Sequence, residues 1–356
     1  MIYNALCKTD LKDYDNLRSM FQFARAVLSE ENCLDFAMDV SQKIKSVSAS
    51  MATKDTRFFN LYNDCLLFRA YHYFDDYMLY IEKDRDAKSR FYLPRRRQLI
   101  KLGLIDALQE LETGDLELLS LSLPPGTGKT TIAEFFISWV VGRDPEKYNL
   151  FVSHSGDITR MFYDAINNIV SSGEYLWSDV FPTVKKQSEN AKIEQINFGK
   201  FKPFKSIQCT SVGSKNAGKV RCNGYLYCDD LIGNIEEALS KVRLDKLWSI
   251  YTVDLRQRKK DGCKEIHVAT RWSVHDVIGR LQNKFGKSDK AKFIAVPDID
   301  PLTGESNFDY DYGVGFSVEY FKDMEETMDD ISYRCLFKSE PIEREGLLYH
   351  NDDIRR

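Results

Sequence analysis

Residues 121–131 read Leu-Ser-Leu-Pro-Pro-Gly-Thr-Gly-Lys-Thr-Thr, an apolar run that breaks into a glycine-rich turn and ends in Gly-Lys-Thr. Those residue types in that order make a phosphate cradle. Backbone N–H groups of such a turn, and of the helix start behind it, converge on one spot. The Lys129 ammonium adds charge for the β- and γ-phosphates, and the Thr130 hydroxyl is suited to hold Mg²⁺. The candidate nucleotide-binding residues are therefore Pro125, Gly126, Thr127, Gly128, Lys129, Thr130 and Thr131. One departure is visible: the first glycine of the usual G-x-x-x-x-G-K-[ST] pattern is Leu123 here. With an apolar run before the turn and a helix-like run after it, the pattern predicts binding of a nucleoside triphosphate.

A second group of residues supplies carboxylates. Residues 225–230, Tyr-Leu-Tyr-Cys-Asp-Asp, form an apolar strand that delivers two acids at its end. Asp229 is placed to complete a magnesium shell opposite Thr130. Asp230, expected on the other side of the pleat, is placed to polarise the attacking water. Aspartate is shorter than the glutamate usual at that second position, so Glu236 and Glu237 stand as alternatives. A third strand end, residues 268–272 (VATRW), brings Thr270 and Arg271 to the same sheet edge, where ligands of open parallel sheets sit. Thr270 can sense the γ-phosphate and pass the change to residues 272–276. Lys129 and Asp229 are 100 positions apart, a gap with room for at least two more strands, as in translocating and unwinding ATPases.

Apolar periodicity predicts the elements that hold these residues. Residues 1–90 read as helical, with helices over 14–28, 34–47 and the aromatic run 58–81. Composition turns basic at 88–101 (KSRFYLPRRRQLIK), where Pro94 starts a helix that reaches about residue 111. Strands over 116–123, 148–153, 192–198, 206–212, 224–228, 265–270 and 291–296 follow. Helices over 131–141, 157–170, 236–258 and 274–285 alternate with them; 297–315 reads as loop and 316–336 as helix. The alternation predicts an α/β fold, a mainly parallel central sheet with helices on both faces, preceded by the helical region. The phosphate loop and the 100-residue gap to the acidic strand assign it to the RecA-like (ASCE) P-loop NTPase class. In domain terms, 1–90 is the helical N-terminal region, 91–300 the ATPase core, and 301–356 the end of that domain and a linker.

The 356 residues carry a formal net charge of −4, which excludes a surface coated in basic residues, so any nucleic-acid contact has to be local. Candidate stretches are 95–97, 215–221 and 256–260. No apolar run reaches membrane-spanning length, and no h-region opens the chain. The eight cysteines form no C-x-x-C pair and read as reduced, mostly buried thiols rather than as a zinc site.

In this order, the segments resemble the large terminase subunit of tailed double-stranded DNA bacteriophages. Residues 93–100 (LPRRRQLI) take the place of the family's adenine-contacting segment, and 124–130 (PPGTGKT) match its Walker A loop. Residues 218–232 (GKVRCNGYLYCDDLI) resemble the stretch leading into its Walker B strand. Residues 234–247 and 255–262 are similar to the helix and basic turn behind it, 269–281 (ATRWSVHDVIGRL) to its coupling motif, and 333–348 to the passage out of its ATPase domain. The resemblance spans about residues 90–300; residues 1–90 resemble nothing specific.

The resemblance implies a DNA-packaging motor. It implies a homo-oligomeric ring on the portal protein that works with the small terminase subunit in the cytoplasm of an infected bacterial host. That ring uses ATP and Mg²⁺ to drive double-stranded DNA, without reading its sequence, into a procapsid. An isolated monomer is expected to hydrolyse ATP poorly, and no membrane is involved. Gln98, with Arg97, is implied to read the adenine. Many members carry an arginine inside the phosphate loop, absent here, so the charge-neutralising arginine is expected from elsewhere. Arg221, offered across a subunit interface, is the first candidate, and Arg160 and Arg271 are the alternatives. The family's RNase H-like nuclease domain is expected to begin where this chain stops, so cleavage is not expected of it. Two rival readings are a helicase- or AAA-type DNA-remodelling ATPase and a nucleotide-gated scaffold with weak hydrolysis, the latter kept open by aspartate at position 230.

Overall fold

The computed structural model describes residues 12–28, 30, 33–214 and 220–341. They fall into two compact units, residues 1–86 with 173–182 and residues 87–172 with 183–356.

The first unit is helical. Tyr14–Val27, Leu34–Met51, Thr56–Ala70 and Phe74–Ile81 are its long helices, and Leu17, Phe21, Ala24, Ile44, Phe58, Leu61 and Cys65 meet in its core. Asp13 and Asp55 start two of them by accepting the backbone N–H of Asn16 and Arg57. The run expected as one helix over 58–81 is two, because Tyr73 is extended. No glycine or proline marks that break. It swings Asp76 back onto Arg69, whose Nε donates to the Asp76 carboxylate at 2.7 Å, and onto Lys45. The second surprise is residues 173–182, which lie between elements of the other unit in sequence but belong here. The short helix Trp177–Val180 packs with Phe181 near Tyr77, with ring centres 6.0 Å apart.

The second unit is built on one eight-stranded sheet. Its strands are β1 (Leu118–Ser122), β2 (Asn149–Ser153), β3 (Lys186–Asn190), β4 (Gln195–Phe198), β5 (Ile207–Ser211), β6 (Tyr225–Asp229), β7 (Lys264–Ala269) and β8 (Ala291–Ala295). Their order across the sheet is β3-β4-β5-β2-β6-β7-β1-β8. From β5 to β8 every pairing is parallel; only the pairs β3–β4 and β4–β5 are antiparallel. Helices Lys129–Arg143 and Gly156–Ser171 follow β1 and β2, as crossover connections between parallel strands require. β1, β2 and β6 are buried along their whole length, which is why they read as continuous apolar runs. The fold is that of a P-loop NTPase, the mainly parallel α/β sheet expected.

Three local differences have physical causes. β3 (Lys-Gln-Ser-Glu-Asn) is exposed at every residue, so it has no apolar alternation to betray it. The helix expected over 236–258 is Ile235–Leu239 and Lys241–Ser249, followed by a π turn Ile250–Leu255 and a 3₁₀ turn Arg256–Arg258. Ser240 breaks it by capping the second helix, its Oγ accepting from Arg243 N. Tyr251 in the π turn, with Arg256 and Lys259 beyond it, reaches the buried Glu265 of β7, the three at 2.5, 3.1 and 2.6 Å. The helix expected over 316–336 is likewise two, Val318–Thr327 and Asp330–Leu336, each with its own cap at Ser317 and Asp329.

Candidate active site

The turn after β1 takes the conformation its glycines allow. Gly126 and Gly128 have φ of +75° and +95°, a left-handed region that side chains avoid, and the Thr127 hydroxyl closes the turn onto Pro124 O at 2.8 Å. A Cβ on Gly128 would sit 2.7 Å from the Phe91 ring, and one on Gly126 3.1 Å from Phe316. Pro125 and Gly126 form the exposed crown, Thr127 and Leu123 are buried beneath it, and the helix begins at Lys129 with Thr130 and Thr131 in its first turn.

The order of strands decides what this turn faces. β7 lies between β1 and β6, and the register aligns Ser122 with Ala269 and Asp229 with Val268, so the carboxyl ends of the three strands stand level. Lys129 Nζ consequently donates to Thr270 Oγ1 at 2.9 Å and lies 3.4 Å from Asp230 Oδ2. Thr270 N donates to Asp230 Oδ1 at 2.9 Å. Lys129, Asp230 and Thr270, distant in sequence, form one cluster.

Asp229 and Asp230 do not separate across a pleat as expected. The strand ends at Asp229, and Asp230 has a left-handed φ of +39°, so both carboxylates come to the first turn of the phosphate-loop helix. Asp229 is buried, and neither of its oxygens receives a hydrogen bond of normal geometry, although the Thr130 and Tyr227 hydroxyls lie close enough to favour its charge. Burial, then the charge of Asp230, pushes it up to about 7. A buried carboxylate that accepts no well-formed hydrogen bond, next to a threonine hydroxyl and a phosphate cradle, fits a divalent cation, for which Thr130 and Asp229 are the residues at hand.

The other sequence candidates are dispersed. Arg271 is buried, bonded to Asp276 at 3.1 Å and Gln282 at 3.4 Å, and Asp276 in turn caps Val277–Phe285. Arg160 is on the surface, paired with Asp164. Arg221 precedes β6, at the sheet edge opposite its own phosphate loop, its carbonyl accepting from Gln208. Arg97 points to solvent, 68% exposed and 3.6 Å from Asp311, whereas Gln98 is buried. Glu236 is exposed, and Glu237 Oε2 accepts from Gly233 N. Of the basic stretches, Arg256 and Lys259 turn inward to Glu265, and 215–219 lie outside the described residues. Burial works to raise the Glu265 pKa but is outweighed by His267, Lys259 and Arg256, so this acid stays well below the usual range.

Several neighbours of the cluster had no sequence signal strong enough to single them out. Arg95, not Arg97, lies by the turn, its guanidinium over Phe91 at 4.6 Å and over Tyr310 at 5.1 Å. Tyr310, in the run expected as loop, donates to Thr127 O at 3.3 Å. Glu134 is pushed up to about 8 by burial and then by Asp229; an acid one helical turn past Thr130, in the otherwise apolar TIAEFFISWVV, was the available clue.

No family model matches this chain, and no curated protein does. Solved structures that do resemble it include two of one phage protein. Both are terminase ATPase domains. They are the large terminase ATPase domain of Thermus phage P74-26, with a TM-score of 0.47, and an arginine-to-alanine mutant of it, with 0.46. Each is 10% identical, and the match covers 70% of this chain and all of theirs. At that identity the likeness concerns the fold.

Proposed function

We propose that this chain is an ATP-hydrolysing motor that moves double-stranded DNA into a procapsid, the work of large terminase subunits. The convergence of Lys129, Thr270 and Asp230, with Asp229 buried beside Thr130, carries the ATPase part. The ordered motifs over about residues 90–300 support the packaging part.

In this mechanism the N–H groups from Gly126 to Thr130 hold the phosphates. The γ-phosphate draws Lys129 away from Asp230. Asp230 keeps Thr270 N on one oxygen, so its other oxygen turns to the water in line with the γ-phosphate, orients it and receives its proton. Thr130 and Asp229 would hold magnesium, which when bound would supply charge neutralisation for the phosphates. Thr270 loses Lys129 at the same moment, and Arg271 and Asp276 connect that strand end to the helix Val277–Phe285. Arg221 of a neighbouring subunit completes the charge balance in a ring on the portal. DNA is held through phosphates, so binding weakens steeply with salt.

ATP turnover with magnesium, measured with and without procapsids carrying the portal, tests the reading. Lys129→Ala is expected to abolish turnover. Turnover that neither procapsids nor DNA stimulate argues against a motor, and ATP binding without turnover favours the nucleotide-gated scaffold that a short acid paired with Lys129 suggests.

A further inference from the structure

Asp230 is one of four non-glycine residues with positive φ among those described, and the only one of them in the cluster. A left-handed backbone is unfavourable for a residue with a side chain and persists where its surroundings enforce it. Two bonds on Asp230 belong to the sheet edge: its N–H donates to Val268 O, and its carboxylate accepts from Thr270 N, both at 2.9 Å. The third does not. His154, the residue after β2, places Nδ1 2.7 Å from the carbonyl oxygen of Asp230. β2 pairs with β6 so that Ser153 faces Asp229, and the imidazole therefore spans from one strand end to the next.

The opposite side of the ring is also held. A Cβ on Gly233 would fall 2.8 Å from His154 Cδ2, so residue 233 leaves the ring its room by having no side chain. His154 forms one wall of a cavity of about 300 Å³, lined also by Val212, Leu231, Leu244 and Leu247.

We propose that His154 is a positioning residue for Asp230: its Nδ1–H fixes the carbonyl of Asp230, and with it the left-handed turn that aims the carboxylate at the phosphate site. The donor is Nδ1–H, present in the neutral Nδ1 tautomer and in the imidazolium alike, so the role requires no titration. The proposal rests on the ATPase reading above. Because His154 acts through Asp230 and touches no phosphate, its loss falls on the rate of hydrolysis and spares nucleotide affinity.

The test is a set of four variants of the full chain. His154→Ala is expected to lower kcat about 10–100-fold, the usual loss for a group that orients a reacting one, with KM and the dissociation constant for ATP within about twofold of the parent. His154→Asn, whose amide N–H reaches the same carbonyl, restores kcat. Gly233→Ala, which displaces the ring, lowers kcat as His154→Ala does, and adds nothing in the double variant. Parent-like kcat in His154→Ala, equal loss in the Asn and Ala variants, or additive loss in the double variant overturns the proposal. If the parent has no turnover even with procapsids carrying the portal, the ATPase reading fails, and a crystal structure of His154→Ala still decides the positioning role. Asp230 leaving its left-handed conformation supports the role. Asp230 remaining left-handed with its carboxylate on Thr270 N overturns it.

Discussion

Asp229→Asn should make this protein more stable while it destroys turnover, and the gain should depend on pH. Burial, with the charge of Asp230 behind it, raises the Asp229 pKa from 3.8 to about 7. Between those values the native state holds a proton that the unfolded chain has released. Stability therefore falls as pH rises through this window and levels off above about 7. At about 1.4 kcal/mol per pH unit the full penalty is about 4 kcal/mol, and it grows by about 3 kcal/mol between pH 5 and pH 8. Asparagine keeps the shape and carries no charge. Relative to the parent, the variant is expected to gain on the order of 1 kcal/mol at pH 5 and several kcal/mol at pH 8. The burial of Glu134 is common to both proteins, whereas its repulsion by Asp229 is lost with the charge, so the difference reports Asp229 together with its coupling to Glu134. Urea unfolding followed by tryptophan fluorescence, without nucleotide, measures it at the two pH values. Adding magnesium and ATP should shrink the pH dependence of the parent alone. A stability difference equal at both pH values, or a variant less stable than the parent at pH 8, would refute the claim that Asp229 is a buried, uncompensated carboxylate.

Three further outcomes follow from other contacts. Gly128→Ala combines a φ of +95° with a Cβ 2.7 Å from the Phe91 ring, and titration with a fluorescent ATP analogue should show binding weakened at least about tenfold, a loss above 1.4 kcal/mol. Glu265→Ala leaves Arg256 and Lys259 facing a vacated, buried position; denaturant midpoints should show about 3 kcal/mol of lost stability, and a change below 0.5 kcal/mol would mean that this network contributes little. Arg97→Ala should bind ATP like the parent, whereas Arg95→Ala should bind it more weakly, because Arg95 is the arginine beside the turn; the reverse ranking by calorimetry would mean that the base lies elsewhere.

Much of this protein was legible in the chain because its signals are local. A Gly-Thr-Gly-Lys-Thr turn encodes its own backbone conformation, and an apolar run ending in Asp229 and Asp230 encodes a buried strand with two acids at its end. Strand and helix periods over 116–296 sufficed for the parallel α/β sheet, because a strand buried on both faces and the helices beside it must each be apolar in their own period. Where burial is absent the signal is absent too, and the exposed strand Lys186–Asn190 went unread for that reason.

Tertiary structure decided the rest. Chain order does not say that β7 comes between β1 and β6, yet that insertion is what places Thr270 between Lys129 and Asp230. The break at Tyr73 and the π turn at Ile250–Leu255 answer to buried charges, Asp76 and Glu265, whose partners are far along the chain or on other elements. The left-handed Asp230 and the imidazole of His154 against its carbonyl have no local sequence cause at all. Residue types and spacing therefore determined which groups do chemistry here. The register and order of strands determined which of them meet, because contacts between distant segments depend on the packing of the whole sheet and leave no period in the sequence.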